Sequence, residues 1–233
     1  MSSDKYVTPP PPRKDDRLFR GDLRDWKNNA CLEAGDEYAY REGYQRGAQI
    51  LVKAVEESQA DQDFLVYPNR FLYRHHIELV LKRVIKQGPY LIERPLTKAQ
   101  RDHLQLHRLD VLWEDFKPMA AAISDAAGWN EVPPEDIQGI DDYIRQIVEV
   151  DPGSYSLRYA HSKKGDSSLP RELTHVNLRH FGELMDRLAN YLYGLEAAIC
   201  HLEGLKQDWE AEMRDMADDY SGDYCGEHYG DYY

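Results

Sequence analysis

Two stretches of the chain carry residues that could transfer protons or bind an anion. The first, within residues 69–86, places ionisable side chains at helical spacing on one face: Arg74, His75, Glu78 and Lys82. The second is a polar segment, residues 156–170, whose candidates are Arg158, Tyr159, His161, Lys163 and Lys164. A histidine can act as a general acid or base, and an arginine can stabilise negative charge on oxygen.

In the first stretch, a structural role competes with a catalytic one. Apolar residues surround the predicted helix on nearly every side, which is typical of a helix in the centre of a bundle. Glu78 has Arg74 four residues before it and Lys82 four residues after it, and these cations could satisfy its carboxylate. We therefore interpret Arg74, His75, Glu78 and Lys82 as a buried polar network that fixes the register of the bundle. His75 and Arg74 are also our second choice of catalytic residues.

The second stretch has no hydrophobic period and is predicted to be an ordered loop. One interpretation is a solvated loop with Tyr159 anchored in the core. In the other, Arg158 and His161 are the first choice of catalytic residues. The substrate would then be bound by Tyr159, Lys163 and Lys164, since basic side chains bind phosphate and a tyrosine offers a stacking face.

The sequence offers no metal or cofactor site. His75 and His76 are adjacent and point to different faces of a helix, so they cannot bind one metal as histidines four residues apart would. Neither an HExxH motif nor a glycine-rich phosphate loop is present. The three cysteines are far apart and contain no CxxC pair, which favours a reducing compartment. We expect a cytoplasmic protein that needs neither metal nor cofactor.

Hydrophobic periodicity predicts an all-α fold, a helical bundle with a long C-terminal heptad helix. The central helix, residues 69–86, should begin near Pro68 and end at Gly88-Pro89, because proline suits a first helical turn and glycine a helix end. The last helix, residues 177–218, spaces its apolar residues alternately by four and three. This heptad seam could pack within the chain or form a dimer interface.

The predicted organisation has four parts. Residues 1–16, with four consecutive prolines, are predicted to be a disordered leader. Residues 17–205 form the helical bundle, residues 206–218 the distal part of the C-terminal helix, and residues 219–233 a disordered acidic tail rich in Tyr and Gly. No apolar run approaches the ~20 residues that span a bilayer, so we expect no membrane association. The net charge of −13 disfavours non-specific binding to a long duplex but not a local anion site.

The run YRHHIELVLKRVI, followed by HRLDVLW, a loop containing RY and a long helix, resembles the HEPN superfamily of small helical bundles. The resemblance covers about residues 36–203. Its early helix carries Glu78 and Lys82, and the element from His107 to Trp113 opens a later helix. The loop DPGSYSLRY…KKG is similar to that of a group of uncharacterised bacterial proteins.

The HEPN resemblance implies metal-independent cleavage of RNA in bacterial toxin–antitoxin, stress or phage-defence systems, with two motifs facing each other in dimers. Catalytic members carry the motif Arg-x4–6-His. Here two residues separate Arg158 from His161, and four separate Arg70 from His75 on the earlier helix. We therefore expect a homodimer that acts on RNA as a ribonuclease or as an RNA binder. The alternative is a non-catalytic module that binds a partner protein through its C-terminal helix.

Overall fold

The fold is all-α, as predicted. The computed structural model describes residues 11–14, 16–129, 133–162 and 164–224, with side chains described as far as residue 217. Its elements are a 3-10 helix, Leu23–Asn28, and six α-helices: α1 Glu37–Ser58, α2 Gln62–Ile92, α3 Lys98–His103, α4 Leu109–Ala127, α5 Pro134–Val150 and α6 Leu178–Tyr224. Across these residues the only extended pairing is an isolated antiparallel bridge between His161 and Ser167.

The chain divides at Asp36 into two compact units, a boundary that falls inside the range 17–205 assigned to the bundle from sequence. The first unit contains the 3-10 helix. Asp22 caps this helix by accepting a hydrogen bond from the backbone N–H of Arg24 at 2.9 Å. Asn29 closes it by donating its side-chain amide to the Asp22 carbonyl, also at 2.9 Å. The second unit, from Glu37 onward, contains all six α-helices.

Helix α2 lies at the centre of the second unit, where it packs against α1, α4 and α6. Its buried apolar residues point in several directions: Tyr73, Ile77, Val80, Leu81, Val84 and Ile85. They meet apolar side chains from α4 and α6, among them Leu112, Phe116, Leu188 and Leu192. The fold therefore confirms that α2 is central, as its apolar residues on every side predicted.

The predicted ends of the central helix were wrong, because both prolines lie inside α2. The helix ends at Ile92 and is capped by Glu93, whose φ is +53° and whose backbone N–H donates to the Pro89 carbonyl. Each proline removes only one backbone hydrogen bond, a loss that tertiary packing outweighs here. Gly88 serves packing instead of capping, since a Cβ atom there would overlap Met119 Sδ of α4.

Helix α6 has 47 residues and is about 70 Å long. The first part of its heptad seam packs inside the same chain, through Met185, Leu188, Leu192 and Ile199. The distal apolar residues Trp209, Met213 and Met216 are exposed. The helix continues to Tyr224, so residues 219–224 of the predicted tail are helical, while 225–233 and most of the predicted leader lie outside the described residues.

None of the helices in the described part of the chain combines the length and apolar character needed to cross a membrane.

Candidate functional site

A buried carboxylate, Glu78, is the centre of a polar network on α2. Its Oε2 lies 3.1 Å from Arg74 Nη1, and its Oε1 accepts from Lys82 Nζ at 2.9 Å and from His107 Nδ1 at 2.7 Å. Only 1 % of the Glu78 side chain is exposed. The two cations at i−4 and i+4 are the partners expected from sequence, whereas His107 was not foreseen.

Arg74 extends this network to the loop after α5. Its Nε lies 3.3 Å from Oδ2 of Asp151, which is fully buried, and its Nη2 donates to the His107 carbonyl. The other carboxylate oxygen of Asp151 accepts from the backbone N–H groups of Tyr155 and Ser156 at 2.7 and 2.8 Å. Asp151 therefore fixes the loop to the central helix. The local sequence did not predict that Asp151 is buried.

The network keeps its charges despite burial. Burial by itself would raise the pKa of Glu78, but the hydrogen bonds from Lys82 and His107 outweigh it, and the pKa lies below its ordinary value. Burial lowers the pKa of Arg74, while Asp151 and Glu78 oppose this shift. An arginine stays protonated far above neutral pH. The network is thus a set of paired ions that holds α2, α4 and the loop together.

His75 faces a different environment from its neighbours in the network. Its ring stacks parallel to Phe71 with ring centres 5.6 Å apart, and it meets Tyr44 edge-on at 4.5 Å. Its Nδ1 is 4.0 Å from Glu78 Oε2, too far for a hydrogen bond. Burial lowers the pKa of His75, so the imidazole is neutral at pH 7. His75 belongs to an aromatic cluster at the edge of the network.

Arg158 joins this aromatic cluster from the loop. Its guanidinium carbon lies 5.6 Å from the centre of the Phe71 ring and 5.7 Å from that of Tyr159. Its Nε donates to the Ser154 carbonyl, and it makes no ion pair with any described residue. The structure therefore brings Arg158 and His75 to the same ring, Phe71. We call Tyr44, Phe71, His75, Arg158 and Tyr159 the aromatic–arginine surface.

The rest of the loop departs from expectation. Tyr159 is 51 % exposed, so it does not anchor the loop in the core; Leu157, at 6 %, does so because it is the aliphatic side chain that points inward. His161 is exposed and lies in a tight turn, where its backbone pairs with Ser167. No hydrogen bond or ring contact links its imidazole to Arg158 in the described residues. Lys164 is exposed, and Lys163 lies outside the described residues.

This arrangement can bind a planar group and an anion together, because aromatic faces stack on bases and an unpaired guanidinium binds phosphate. Among the residues whose positions are described, no cluster of three or more His, Cys, Asp or Glu side chains could hold a metal ion. The resemblance to HEPN proteins stays a prediction. Compared with known family models, curated proteins and solved structures, the chain matches none.

Proposed function

We propose that the protein binds single-stranded RNA through the aromatic–arginine surface. The observation that carries the proposal is the position of Arg158, which is exposed, lies over both Phe71 and Tyr159, and has no acidic partner among the described residues. A guanidinium that is held by two rings loses little conformational entropy when it binds a phosphate. Tyr159, which is 51 % exposed, offers a ring on which an unpaired base can stack.

The charge available to an anionic partner is that of Arg158, because the chain is acidic as a whole and the basic residues of α2 are already engaged. Of the five Lys or Arg residues between Arg70 and Lys86, four form ion pairs and the fifth, Arg70, is buried. The net charge of −13 argues against long duplexes, whose binding depends on many phosphate contacts. A short single strand needs fewer such contacts and gains from stacking.

Cleavage would be an extension of this binding. A neutral imidazole can take the proton of a ribose 2′-hydroxyl, and Arg158 would stabilise charge on the phosphate. His161 is the predicted base, and His75 is the histidine that shares a ring with Arg158. A role in bacterial stress or phage defence is proposed from the HEPN resemblance alone.

The test uses a fluorescent single-stranded RNA of about 12 nucleotides, a length in the range of single-strand binding sites. Fluorescence anisotropy should show saturable binding that weakens with salt. The variant Arg158→Gln should bind about 10-fold more weakly, which corresponds to the loss of one charged contact. Arg145→Gln is the control and should bind like the wild type, because it removes an exposed arginine of α5 that is paired with Asp142 and Glu149. Equal affinities for wild type and Arg158→Gln, or no binding, would overturn the proposal.

Denaturing gels of the same RNA in EDTA test for cleavage. Loss of product in His161→Ala assigns the base to His161, and loss in His75→Ala assigns it to His75. Binding without product leaves the protein an RNA binder. Product that persists in both histidine variants contradicts a histidine base.

A second candidate function rests on the distal part of α6. Trp209, Met213 and Met216 continue the heptad seam, and Trp209 is 58 % exposed. In the earlier part of the helix, Glu196 pairs with Arg41 of α1, and Glu203 with Arg83 of α2.

Three distal acids, Asp208, Glu212 and Asp215, make no ion pair with any described residue. Pairing with a second copy would bring like charges together. We therefore infer that the seam takes a basic amphipathic helix of another protein.

A synthetic heptad peptide with Leu at core positions and Lys beside them tests the second candidate. Calorimetry should show that this peptide binds the wild type but not the double variant Trp209→Ser/Met216→Ser. A control peptide with Glu in place of Lys should not bind the wild type. Light scattering of the protein alone should give the mass of a monomer. A dimer that dissociates in the double variant would instead support the homodimer predicted from sequence and contradict the basic partner.

A further inference from the structure

A cavity of about 190 Å³ lies between α2, α5, α6 and the loop before α6. Its wall is mostly apolar and includes Ile147, Val150, Leu157, Val176, Phe181 and Met185. Two arginines of α2, Arg70 and Arg74, also line it. An engineered cavity of about 150 Å³ with an apolar wall is large enough for benzene, so this one can hold a slightly larger organic molecule.

Arg70 is the unusual member of this wall. Three arginines are buried in the described residues: Arg41, Arg70 and Arg74. Arg41 forms an ion pair with Glu196, and Arg74 forms ion pairs with Glu78 and Asp151. Arg70, at 8 % exposure, has neither an ion pair nor a hydrogen bond with any described residue; its guanidinium carbon lies 5.9 Å from the centre of the Phe181 ring.

The nearby acids already pair with other cations. Oδ1 of Asp151 accepts from the backbone N–H groups of Tyr155 and Ser156, and its Oδ2, which accepts no hydrogen bond, lies 3.3 Å from Arg74 Nε. Glu78 is bound by Arg74 and Lys82. Since Lys82 balances Glu78, the cavity wall carries two cations, Arg70 and Arg74, against the single charge of Asp151, which acts on both. A buried charge without a partner is unfavourable, and the donors of Arg70 remain free for an anion.

We infer that the cavity binds a small amphipathic carboxylate, an aromatic or branched-chain acid of about six to ten carbon atoms. Its carboxylate would accept hydrogen bonds from the Arg70 guanidinium, which matches a carboxylate in a bidentate manner. Its hydrocarbon part would lie against Phe181, Met185 and Ile147. A phosphate or other dianion fits less well, because only one unpaired guanidinium faces an otherwise apolar wall.

Calorimetric titration with phenylacetate tests the inference, with its neutral amide as the matched probe. Phenylacetate should bind the full chain with 1:1 stoichiometry. The amide should bind roughly 10- to 100-fold more weakly, as expected when a hydrogen bond to a charged group is lost. Equal affinities for acid and amide would show that Arg70 does not select the ligand and would overturn the inference, as would binding of inorganic phosphate alone.

Three variants locate the binding. Arg70→Met should abolish the preference for the acid over the amide, and Val176→Trp should block both molecules by filling the cavity. Tyr191→Phe is the control, since Tyr191 lines a second cavity of about 460 Å³ with a buried hydroxyl that has no hydrogen-bond partner among the described residues. This variant should keep wild-type affinity. Affinity retained in Arg70→Met, or lost only in Tyr191→Phe, would contradict the assignment. Circular dichroism of each variant confirms folding.

Discussion

Arg70 and Arg74 lie one helical turn apart on α2, both buried, yet only Arg74 is paired with carboxylates. Arg74 lies 3.1 Å from Glu78 and 3.3 Å from Asp151, whereas Arg70 contacts the ring of Phe181. The same residue type on the same helix thus has two roles. One arginine holds three elements together, and the other leaves its hydrogen-bond donors free at the wall of a cavity.

This difference predicts opposite effects on stability. Arg74→Met should lower the free energy of unfolding by about 3 kcal/mol, because it removes an ion-pair partner from Glu78 and Asp151. Arg70→Met should leave stability unchanged or raise it by up to about 1 kcal/mol, since it removes a buried charge without a carboxylate partner. Urea unfolding of the two variants measures both values. A similar loss of unfolding free energy in both variants would contradict the prediction that ion pairing distinguishes the two arginines.

Glu78→Gln should be strongly destabilising. The amide cannot compensate the charges of Arg74 and Lys82, and breaking a buried ion network in this way costs about 3–5 kcal/mol. Glu57→Gln is the matched control, because Glu57 also pairs with a cation four residues away, Lys53, but on the surface. Exposed pairs of this kind contribute about 0–1 kcal/mol. Equal unfolding midpoints for the two variants would show that the Glu78 network does not stabilise the fold.

The buried histidine His76 should make the fold sensitive to mild acid. Burial lowers its pKa; the Arg41 carbonyl, Glu42 and Asp186 oppose the shift, and the Arg41 charge adds to it. The unfolded chain, with a histidine pKa of about 6.5, then binds more protons than the folded chain. The free energy of unfolding should therefore fall as the pH drops below about 6.5.

Thermal melts between pH 7 and 5 measure this fall, which His76→Gln should reduce. The lowered pKa of His75 acts in the same direction and accounts for part of the acid sensitivity that remains in His76→Gln. Glu78 contributes separately, because its lowered pKa gives stability that is lost only below about pH 4.3. Replacement of the exposed His180 by Gln is the control. A curve for His76→Gln that parallels the wild type would exclude His76 as a source of acid sensitivity.

Gly88→Ala should destabilise the contact between α2 and α4. The new Cβ would overlap Met119 Sδ and Cγ, and such crowding of a core costs about 1–3 kcal/mol. Gly43→Ala is the comparison, since nothing lies within 4 Å of its Cβ position in α1. That change should stabilise the helix by up to about 1 kcal/mol. Gly88→Ala should cost less in a Met119→Ala background, which itself loses stability, than in the wild type, and an equal cost in both backgrounds would point to a different cause.

Local spacing predicted the part of the site that lies on one helix. Glu78 meets Arg74 and Lys82 because residues four apart on a helix are neighbours, and this holds whatever the rest of the fold does. Helical spacing could not predict the partners that come from elsewhere in the chain. His107 and Asp151 lie 29 and 77 residues away from the α2 residues that they contact, and only tertiary packing decides which distant residues meet.

The loop shows the same limit. Its sequence identified Arg158 as a candidate anion ligand, but the contact with Phe71 depends on how the Asp151 turn docks on α2. The anchoring role assigned to Tyr159 belongs to Leu157. Both side chains are apolar enough to be buried, and the course of the backbone determines which of them points inward. The prolines of α2 misled the prediction of its ends for a related reason. Proline signals a boundary locally, and burial of a long helix overrides that signal.

The position of α6 in the chain has a consequence for biosynthesis. Met185, Leu188, Leu192 and Ile199 complete the cover over α2, which ends at Ile92, long before α6 begins at Leu178. Until the ribosome has released about 200 residues, one side of the central helix has nothing to pack against, and such surfaces attract chaperones or aggregate. The bundle therefore closes late in synthesis, and premature termination before α6 would yield a chain that is a substrate for proteolysis.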